Sequence, residues 1–537
     1  MKTNRAVLAV LSAAGLGLVA LCVPGSPVRA AAERADELDG GMRIVTDAYA
    51  LIEKNFADPV QADRAFYGSA GGVSGYAGAI PGMLGALDPH SSFLTPAEYE
   101  DMQRKQRAQY FGVGMLIRAD VGKIVAWEPF PGMPAMLAGI RRGDVIVAVD
   151  GQDTRNMDSA KVADLLRGPR DTQVKVSVAR TGVPDPISMV VTRGEIPTHK
   201  VDAYWLQPGI VYLGIQDFEA QNVGKDVESL MAQLGEQNVK GMVLDLRENP
   251  GGLVTEAVSV VGRFLHDGQV VVSDHGRSVR EQVYRAKAQP NAQDYPMVTL
   301  VNRRSASASE IVSGALQDHD RAWLLGETTF GKGLVQAQFP LSENAALLLT
   351  IAHYYTPSGR LIQRDYQNQS FYDYYTTRKD EAPSQTDIKA TDSGRRVYGG
   401  GGITPDEKYA AVAATALEGR LADPAANAIF HFGNVYFGAE KPQLPAPTWS
   451  PDADTLARFK AYLQSQHFTF TDAEFAASQK WISDQIRMEL LIRAYDGKTA
   501  TRTMMMDDPE VRQAIESLPK AQSLLARRGP TQRAALR

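Results

Sequence analysis

The spacing of apolar residues divides the chain into segments with different periodicities. From Met42 to Phe56, apolar residues recur every three or four positions, as they do on one face of an α-helix, and residues 79–87 repeat this pattern more briefly. The sequence therefore predicts a helical N-terminal region over residues 40–104.

The apolar pattern changes between Phe111 and Arg193. Short β-branched runs separated by glycines, such as Lys123–Trp127 and Val174–Val178, are typical of strands, and one helical pattern interrupts them at Ser159–Leu166. A segment of about ninety residues has the usual size of a domain. We predict a compact domain over residues 105–195.

Strand and helix patterns alternate over residues 196–406, which is typical of an α/β layer with a mostly parallel sheet. The predicted strands are 211–216, 241–246 and 297–301, and the predicted helices are 224–236, 253–265 and 307–317. Residues 365–402 are polar and tyrosine-rich and end in four glycines, which indicates a loop excursion. Helical periodicity at 409–421 and 475–495 predicts a separate helical C-terminal region over residues 407–537.

The first thirty residues have the layout of an export signal. They contain three basic residues and no acidic one, an apolar run from Ala6 to Val23 and a small-residue site ending at Ala30, which predicts a signal peptide over residues 1–30. A retained membrane anchor is the alternative, because the run approaches the roughly 20 residues of a spanning helix. Cys22 is the only cysteine, so a cleaved chain would have neither disulfides nor cysteine-bound zinc.

Length and charge limit the class of protein. A chain of 537 residues with 44% hydrophobic content can bury several cores, so we expect a multidomain α+β protein. The net charge is −5, and Lys and Arg form no long block. A nucleic-acid partner is not expected, because such partners select for a basic surface.

Ser307 is the first candidate catalytic residue. It lies in the Ser-Ala-Ser-Ala-Ser-Glu stretch at 305–310, between a predicted strand and a predicted helix. The first turn of a helix favours negative charge, as the oxyanion of an acyl transfer requires. The same residues fit a capping box, in which Ser307 and Glu310 only start the helix, and this segment alone leaves both interpretations open.

Lys332 is the candidate base for that serine. It lies between Gly331 and Gly333, where other backbone can approach closely. A serine hydroxyl needs an adjacent base, and an amine serves when burial lowers its pKa. Gln336 lies four positions on, so its amide oxygen is placed to orient the amine. The alternative is a solvated lysine or a phosphate contact, although the spacing does not match a Walker loop.

Two glycines follow the predicted strand at 241–246. Gly251 and Gly252 expose backbone amides at little steric cost, so either is a candidate oxyanion donor together with the amide of Ala308. An ordinary turn before the next helix is the alternative.

These three segments, in this order, resemble the carboxyl-terminal processing proteases, also called tail-specific proteases. The resemblance extends over residues 40–406. Further shared motifs are Leu-Asp-Pro-His-Ser-Ser-Phe-Leu at 87–94, Tyr-Tyr-Thr-Pro-Ser-Gly-Arg at 354–360 and Gly-Ile-Thr-Pro-Asp at 402–406. The resemblance implies a PDZ domain over residues 105–195 and a crotonase-like serine peptidase core over residues 196–406.

The resemblance also implies roles for individual residues. Ser307 would be the nucleophile, Lys332 the general base and Gln336 the third member of the site, with no metal or cofactor. The PDZ domain would capture the terminal carboxylate of a peptide, and Arg167 would couple its position to catalysis. An arginine that only caps a helix end is the alternative for Arg167. The implied carboxylate-binding residues are Tyr110, Phe111, Gly112, Val113 and Gly114.

Some residues do not follow a simple catalytic pattern. Asp88 and His90 could suggest a Ser/His/Asp triad, but their Leu-Asp-Pro-His setting indicates a structural turn. Glu248 stands where the family often has a neutral residue, and the chain continues well beyond Asp406.

The expected protein is an exported serine endopeptidase of the periplasm or cell envelope, which cleaves proteins or peptides recognised by a free C-terminus. Its activity should rise toward mildly alkaline pH, because a lysine base must be neutral. The alternative is a catalytically silent PDZ scaffold that binds the C-termini of envelope proteins. A homo-oligomer, an adaptor protein and membrane association through an uncleaved N-terminal segment stay open.

Overall fold

The computed structural model describes most of the chain beyond its N-terminal segment. The described residues are 42–43, 45–52, 66, 78–106, 109–197, 200–277, 279–287, 294–366, 374–375, 387–409 and 412–527. The predicted signal peptide lies outside these ranges. The chain forms two compact units, residues 1–86 and 87–537. In the first unit, residues 45–52 are helical, and a second helix spans Ala79–Gly85.

A β-rich middle domain follows the helix Pro96–Gln106. All its strand pairs are antiparallel. In the strand Gln173–Ala179, alternate valines point into the domain core, as the alternation of apolar and polar residues predicts. The strands are Met115–Asp120, Lys123–Pro129, Val145–Val149, Gln152–Asp153, Gln173–Ala179 and Ile187–Thr192, and the helices are Pro134–Leu137 and Ser159–Leu166.

The chain enters and leaves the middle domain through one two-stranded ribbon. Gln109–Gly112 pairs antiparallel with Gly194–Pro197. This ribbon connects the middle domain to the central sheet, which begins at Val201.

Six strands form the central sheet of the second unit. The first pair is antiparallel and the remaining pairs are parallel. Gly241–Asp245 and Met297–Val301 are buried at every residue, because helices cover both faces of the sheet. In order across the sheet, the strands are Val201–Gln207, Ile210–Ile215, Gly241–Asp245, Met297–Val301, Trp323–Gly326 and Glu407–Lys408.

Helices from distant parts of the chain cover the two faces. One face packs against Val223–Leu234, Val254–Gly262 and Ala308–Asp318, and the other packs against Pro509–Arg527. The last helix was predicted within a separate C-terminal region, but its apolar side contributes Val511, Ala514 and Leu518 to the core of the sheet. The sheet also takes the strand Glu407–Lys408 from beyond residue 406.

A second sheet stands beside the central one and carries the segment after Lys332. Its strand pairs are antiparallel. The strands are Ser92–Leu94, Val270–His275, Gln282–Arg285, Leu334–Pro340 and Ala346–Tyr355. The predicted loop excursion begins after this sheet and contains, in its described part, the hairpin Ile388–Ala390 with Arg396–Tyr398.

A helical layer with its own aromatic core precedes the last helix. Phe432, Phe459 and Phe475 are buried in this core. The predicted helix at 409–421 begins only at Ala416, because the amide of Tyr409 donates to the carbonyl of Gly326 in the central sheet. The helices are Ala416–Leu421, Ala428–Phe437, Ala453–Ser465, Asp472–Ala477, Gln479–Ala494 and Gly497–Asp507. In the described part of the chain, no helix combines the length and apolar character needed to cross a membrane.

Candidate active site

The central sheet brings two loops together at one edge. Asp245 pairs with Leu300 in neighbouring parallel strands, so the loops that follow both strands leave the sheet side by side. One loop carries Gly251, and the other carries Ser307 at the start of the helix Ala308–Asp318. A Cβ atom placed on Gly251 would lie 2.7 Å from Ser307 Cβ. The two predicted segments are therefore in direct contact.

Ser307 occupies a strained backbone conformation. Its φ is 55° and its ψ is −113°, a region that residues with a Cβ rarely adopt. The residue stands at the N-cap of its helix, where the helix dipole favours a negative charge. The surrounding structure thus holds Ser307 in a conformation that an isolated helix start would not favour.

The carboxylate of Glu310 connects the candidate nucleophile to the candidate base. Its Oε2 accepts the backbone N–H groups of Ser307 and Lys332, each at 2.8 Å. Its Oε1 accepts the N–H of Gly331 at 2.7 Å and the hydroxyl of Thr329 at 2.5 Å. Glu310 is completely buried, and burial raises its pKa while these hydrogen bonds oppose the rise. The predicted capping interaction is therefore part of a larger clamp between the two segments.

Tyr354 bridges the same two segments from the second sheet. Its buried hydroxyl lies 3.1 Å from the carbonyl oxygen of Ser307 and also contacts the carbonyl oxygen of Lys332. Burial raises the pKa of this hydroxyl well above its usual value, so it stays protonated and able to donate. Two buried groups thus fix the backbone of Ser307 relative to that of Lys332.

The side chain of Lys332 points to Gln336. Its Nζ donates to Gln336 Oε1 at 2.8 Å, and Gln336 Nε2 donates to the carbonyl of His90 at 2.7 Å. Burial lowers the pKa of Lys332, although the carboxylates of Asp88 and Glu310 oppose that effect. The amine is therefore oriented and shifted toward its neutral form.

The two predicted oxyanion glycines differ in their surroundings. The N–H of Gly251 donates to Asn249 Oδ1 at 2.9 Å, so this amide already has a partner. Among the hydrogen bonds of the described residues, none uses the N–H of Gly252 or that of Ala308. Both glycines have positive φ, 99° and 142°. In the described part of the chain, the N–H groups of Gly252 and Ala308 are thus free; Ala308 directly follows Ser307, whereas Gly252 packs against the backbone of Phe218.

Two serines next to Ser307 hold the glycine loop in place. Ser305 Oγ donates to the carbonyl of Leu246 at 2.8 Å, and Ser309 Oγ donates to the carbonyl of Asn249 at 2.9 Å. Both serines are completely buried. Their hydroxyl groups attach the glycine loop to the segment that carries Ser307, a role that the serine-rich motif did not reveal.

The Asp88–His90 segment forms the structural turn that its sequence indicates. Asp88 Oδ1 accepts the N–H groups of His90 and Ser91, each at 2.7 Å. Burial, with the charge of Lys332, lowers the pKa of His90 to about 3. His90 is therefore neutral, and it contributes a backbone carbonyl to the site through Gln336. Sequence reasoning missed this contribution.

The predicted carboxylate-binding residues divide between two structures. Tyr110, Phe111 and Gly112 belong to the ribbon and pair with residues 194–196. Val113 and Gly114 form the turn into the strand Met115–Asp120. That strand pairs only with Lys123–Pro129 among the described strands, and the helix Ser159–Leu166 packs beside it. The ribbon half of the motif pairs with Gly194–Pro197, and its role in carboxylate binding stays a prediction.

Arg167 lies at the end of the helix Ser159–Leu166 in the middle domain. Its guanidinium binds Asp164 at 2.9 Å, and its side chain is 37% exposed. The buried Arg193 instead caps this helix, because it donates to the carbonyls of Leu165 at 2.9 Å and Leu166 at 3.1 Å. In this structure Arg167 makes a surface ion pair.

Among the described residues, no group of three or more His, Cys, Asp or Glu side chains is arranged to hold a metal ion.

Comparison with known proteins identifies two families in the chain. Residues 209–368 match Peptidase family S41, and residues 129–180 match the PDZ domain. The predicted PDZ domain and the predicted family resemblance are thereby confirmed.

Individual relatives cover the same region. The chain is 39% identical over 292 residues to a carboxy-terminal-processing protease of Bartonella bacilliformis, covering 53% of this chain and 66% of that protein. It is 37% identical to a carboxyl-terminal-processing protease of Synechocystis, covering 53% and 68%. The solved photosystem II D1 C-terminal processing protease is 31% identical, with 64% of this chain and 85% of that one covered and a TM-score of 0.33. The chain spans about two thirds of the length of these curated relatives.

Proposed function

This chain belongs to the carboxy-terminal processing proteases of Peptidase family S41, and we propose that it is a serine endopeptidase that uses Ser307 and Lys332. The observation that carries this proposal is the clamp formed by one buried carboxylate, which accepts the backbone amides of both residues at 2.8 Å. A serine and a lysine fixed in this way, with Gln336 orienting the amine, have the parts that nucleophilic catalysis needs.

The proposed reaction passes through an acyl-enzyme. Neutral Lys332 accepts the proton of the Ser307 hydroxyl as its oxygen attacks the scissile carbonyl carbon. The amides of Ala308 and Gly252 donate to the oxyanion that forms. Protonated Lys332 returns its proton to the leaving amine as the peptide bond breaks. A water then attacks the ester with Lys332 again as the base, which releases the new C-terminus and restores Ser307.

The proposed substrates are polypeptides with a free C-terminus. The strand Met115–Asp120 has an unpaired edge beside the helix Ser159–Leu166, and a peptide can add to such an edge as a further strand. The turn at Val113–Gly114 stands where that peptide would end. We assign carboxylate capture to this turn and the start of the strand rather than to the ribbon residues before it.

Export to the periplasm or cell envelope is part of the proposal. It rests on the apolar run from Ala6 to Val23 and the small-residue site at Ala30. The N-terminal sequence of protein recovered from fractionated cells tests it. A mature chain that begins at Ala31 supports export with cleavage, whereas a chain that begins at Met1 in the membrane fraction supports the anchor alternative.

The deciding experiment compares the chain from Ala31 with its Ser307→Ala and Lys332→Ala variants. The substrates are an unfolded protein and peptides with either a free or an amidated apolar C-terminus. We expect cleavage by the parent alone, peptide binding by all three proteins, and a preference for the free carboxylate. Binding of C-termini by the parent without any cleavage would favour the scaffold alternative.

A further inference from the structure

Two tyrosines of the loop excursion contact His90 at the candidate active site. These are Tyr374 and Tyr375, which lie within the excursion at residues 365–402. The Tyr375 hydroxyl lies 2.9 Å from His90 Nδ1 and donates to the carbonyl of Pro89 at 3.1 Å. The Tyr374 hydroxyl lies 3.1 Å from His90 Nε2. Two successive tyrosines therefore engage both nitrogens of one imidazole.

The directions of these hydrogen bonds fit a neutral imidazole. Because the Tyr375 hydroxyl donates to Pro89, its oxygen accepts from His90 Nδ1–H, and His90 Nε2 then accepts from the Tyr374 hydroxyl. Gln363 Nε2 donates to the Tyr374 oxygen at 3.3 Å, which completes the sequence of donors. The donor and acceptor assignments of these hydrogen bonds are thus consistent with one another.

The same histidine controls the partner of the candidate base. The His90 carbonyl accepts Gln336 Nε2 at 2.7 Å, and Gln336 Oε1 accepts Lys332 Nζ at 2.8 Å. The tyrosines are thus linked to the amine through hydrogen bonds to the His90 ring, the covalent structure of His90, and the two hydrogen bonds of Gln336. A shift of the turn that carries His90 would move the amide group that aims Lys332.

Aromatic packing holds the tyrosine pair against the base segment. Tyr374 is 1% exposed, and its ring packs edge to face on Phe330, two residues before Lys332, with 5.6 Å between ring centroids. The Arg364 guanidinium lies over both rings, 4.5 Å from the centroid of Phe330 and 4.2 Å from that of Tyr374. It also donates to the Tyr374 carbonyl at 2.6 Å. The cluster therefore packs on the segment that carries Lys332.

The charged groups around the base act in opposite directions. The carboxylates of Asp88 and Glu310 favour a protonated Lys332, while burial disfavours the charge. Arg364 and Lys332 both favour a neutral His90. Burial is therefore the effect that lowers the pKa of the amine, and opening of the aromatic cluster beside this segment would weaken it.

We propose that Tyr374 and Tyr375 are positioning residues for the base: they hold neutral His90, whose carbonyl orients Gln336, and they keep water from Lys332. This inference rests on the proposed Ser/Lys peptidase function. It assigns a role in the active site to an excursion that the sequence marked only as a polar linker.

The test compares Tyr375→Phe and the Tyr374→Phe/Tyr375→Phe double variant with the parent. Tyr375 is 43% exposed, so loss of its hydroxyl alone should leave the fold intact. In the double variant both rings lose their hydrogen bonds to His90 and can move, so water reaches Lys332 and the pKa of its amine rises. We therefore expect the acid limb of kcat/KM to move up by about one pH unit, which is about a tenfold lower rate on that limb, with KM unchanged. Tyr398→Phe is the matched control, because Tyr398 lies in the same excursion and uses its carbonyl, not its hydroxyl, to bind Arg360.

A second measurement follows the amine without relying on cleavage. In a Ser307→Ala background, the rate of acetylation of Lys332 by acetic anhydride is measured against pH by mass spectrometry. We expect the half-reactive pH to rise by about one unit when both tyrosine hydroxyls are removed. An unchanged curve and an unchanged acid limb would overturn the positioning role. Cleavage that does not depend on Ser307 would refute the proposed function, whereas the acetylation curve would still report on the tyrosines.

Discussion

At the scale of single residues, Lys332 is subject to opposing electrostatic effects. Burial lowers the pKa of its amine, and the carboxylates of Asp88 and Glu310 raise it. The net direction is downward, which enlarges the neutral fraction at moderately alkaline pH. The same arrangement explains why His90 stays neutral beside it.

We expect kcat/KM to rise with pH and to level off below the usual lysine pKa of 10.5. Below the lowered pKa of Lys332 the amine is protonated and cannot accept the serine proton, so the rate should fall tenfold per pH unit. Lys332→Arg should lower kcat/KM at least about 1,000-fold, because arginine does not deprotonate in proteins. Lys389→Arg, at an exposed ion pair in the excursion hairpin, is the control. A profile flat down to pH 5 would contradict the assignment of Lys332.

Glu310→Gln tests the clamp between the two catalytic segments. An amide has one acceptor oxygen, so it would turn an NH2 group toward buried donors of Ser307, Gly331 or Lys332. We expect a loss of about 1–3 kcal/mol in unfolding free energy and at least a tenfold fall in kcat. Glu474→Gln removes a similar capping carboxylate from an exposed helix and should change neither quantity much. Full activity in a destabilised Glu310→Gln protein would show that Glu310 only supports the fold.

At the scale of elements, close contacts with neighbouring backbone determine which residues fit in the loop after Asp245. Gly252 has no room for a side chain, because a Cβ there would lie 2.2 Å from the carbonyl carbon of Phe218. Gly251 faces Ser307 and the carbonyl of Ala306 in the same way. The pair of glycines therefore lets this loop approach two other segments closely, the backbone at Phe218 and the backbone at 306–308.

Gly251→Ala should impair catalysis far more than binding. The added Cβ would lie 2.7 Å from Ser307 Cβ and from the Ala306 carbonyl oxygen, so the glycine loop or Ser307 must shift. We expect kcat to fall by about 100-fold, the order of losing one oxyanion donor, with little change in KM. Gly122→Ala is a close control, since its φ of 72° imposes similar strain but no atom lies within 4 Å of the added group. Equal effects of the two substitutions on kcat would contradict the proposed contact.

Local patterns predicted the elements that depend on continuous burial. The strand Met297–Val301 was predicted with its exact bounds as observed, because a strand covered on both faces must be apolar throughout. The predicted helix at 409–421 failed at its start, since Glu407–Lys408 pairs with the central sheet and tertiary pairing overrode helical periodicity. The tyrosines near His90 lie 284 and 285 residues along the chain from it, and no local pattern links such positions.

At the scale of the whole second unit, the C-terminal helices hold the PDZ domain. The Trp127 ring stacks on Phe430 with 4.5 Å between centroids, and the Arg142 guanidinium lies over both rings. Arg142 also pairs with Glu489 at 2.7 Å, and both side chains are 7% exposed. Arg493 donates to the Arg142 carbonyl at 3.0 Å. A buried pair of this kind strongly resists separation, because removal of either partner leaves an uncompensated charge.

Phe430→Ala should loosen the contact between the PDZ domain and these helices without unfolding either part. Loss of the stacked ring exposes Trp127 and the Arg142–Glu489 pair to water, so amide exchange in Lys123–Pro129 should speed up. The Trp127→Ala/Phe430→Ala double variant should exchange little faster than either single one, because each removes the same contact.

The same variant shows whether the contact serves delivery of substrate. If the helices hold the PDZ domain where it presents bound C-termini to Ser307, Phe430→Ala should raise KM about tenfold for a long substrate with a free C-terminus. A short peptide that occupies only the catalytic site should be cleaved at the parental rate. Phe470→Ala, which removes an aromatic contact to Phe475 within the helical layer, is the control and should spare both substrates. An equal change for the two substrates would mean that Phe430 supports the catalytic core directly, and the PDZ position would then have no part in selecting the substrate.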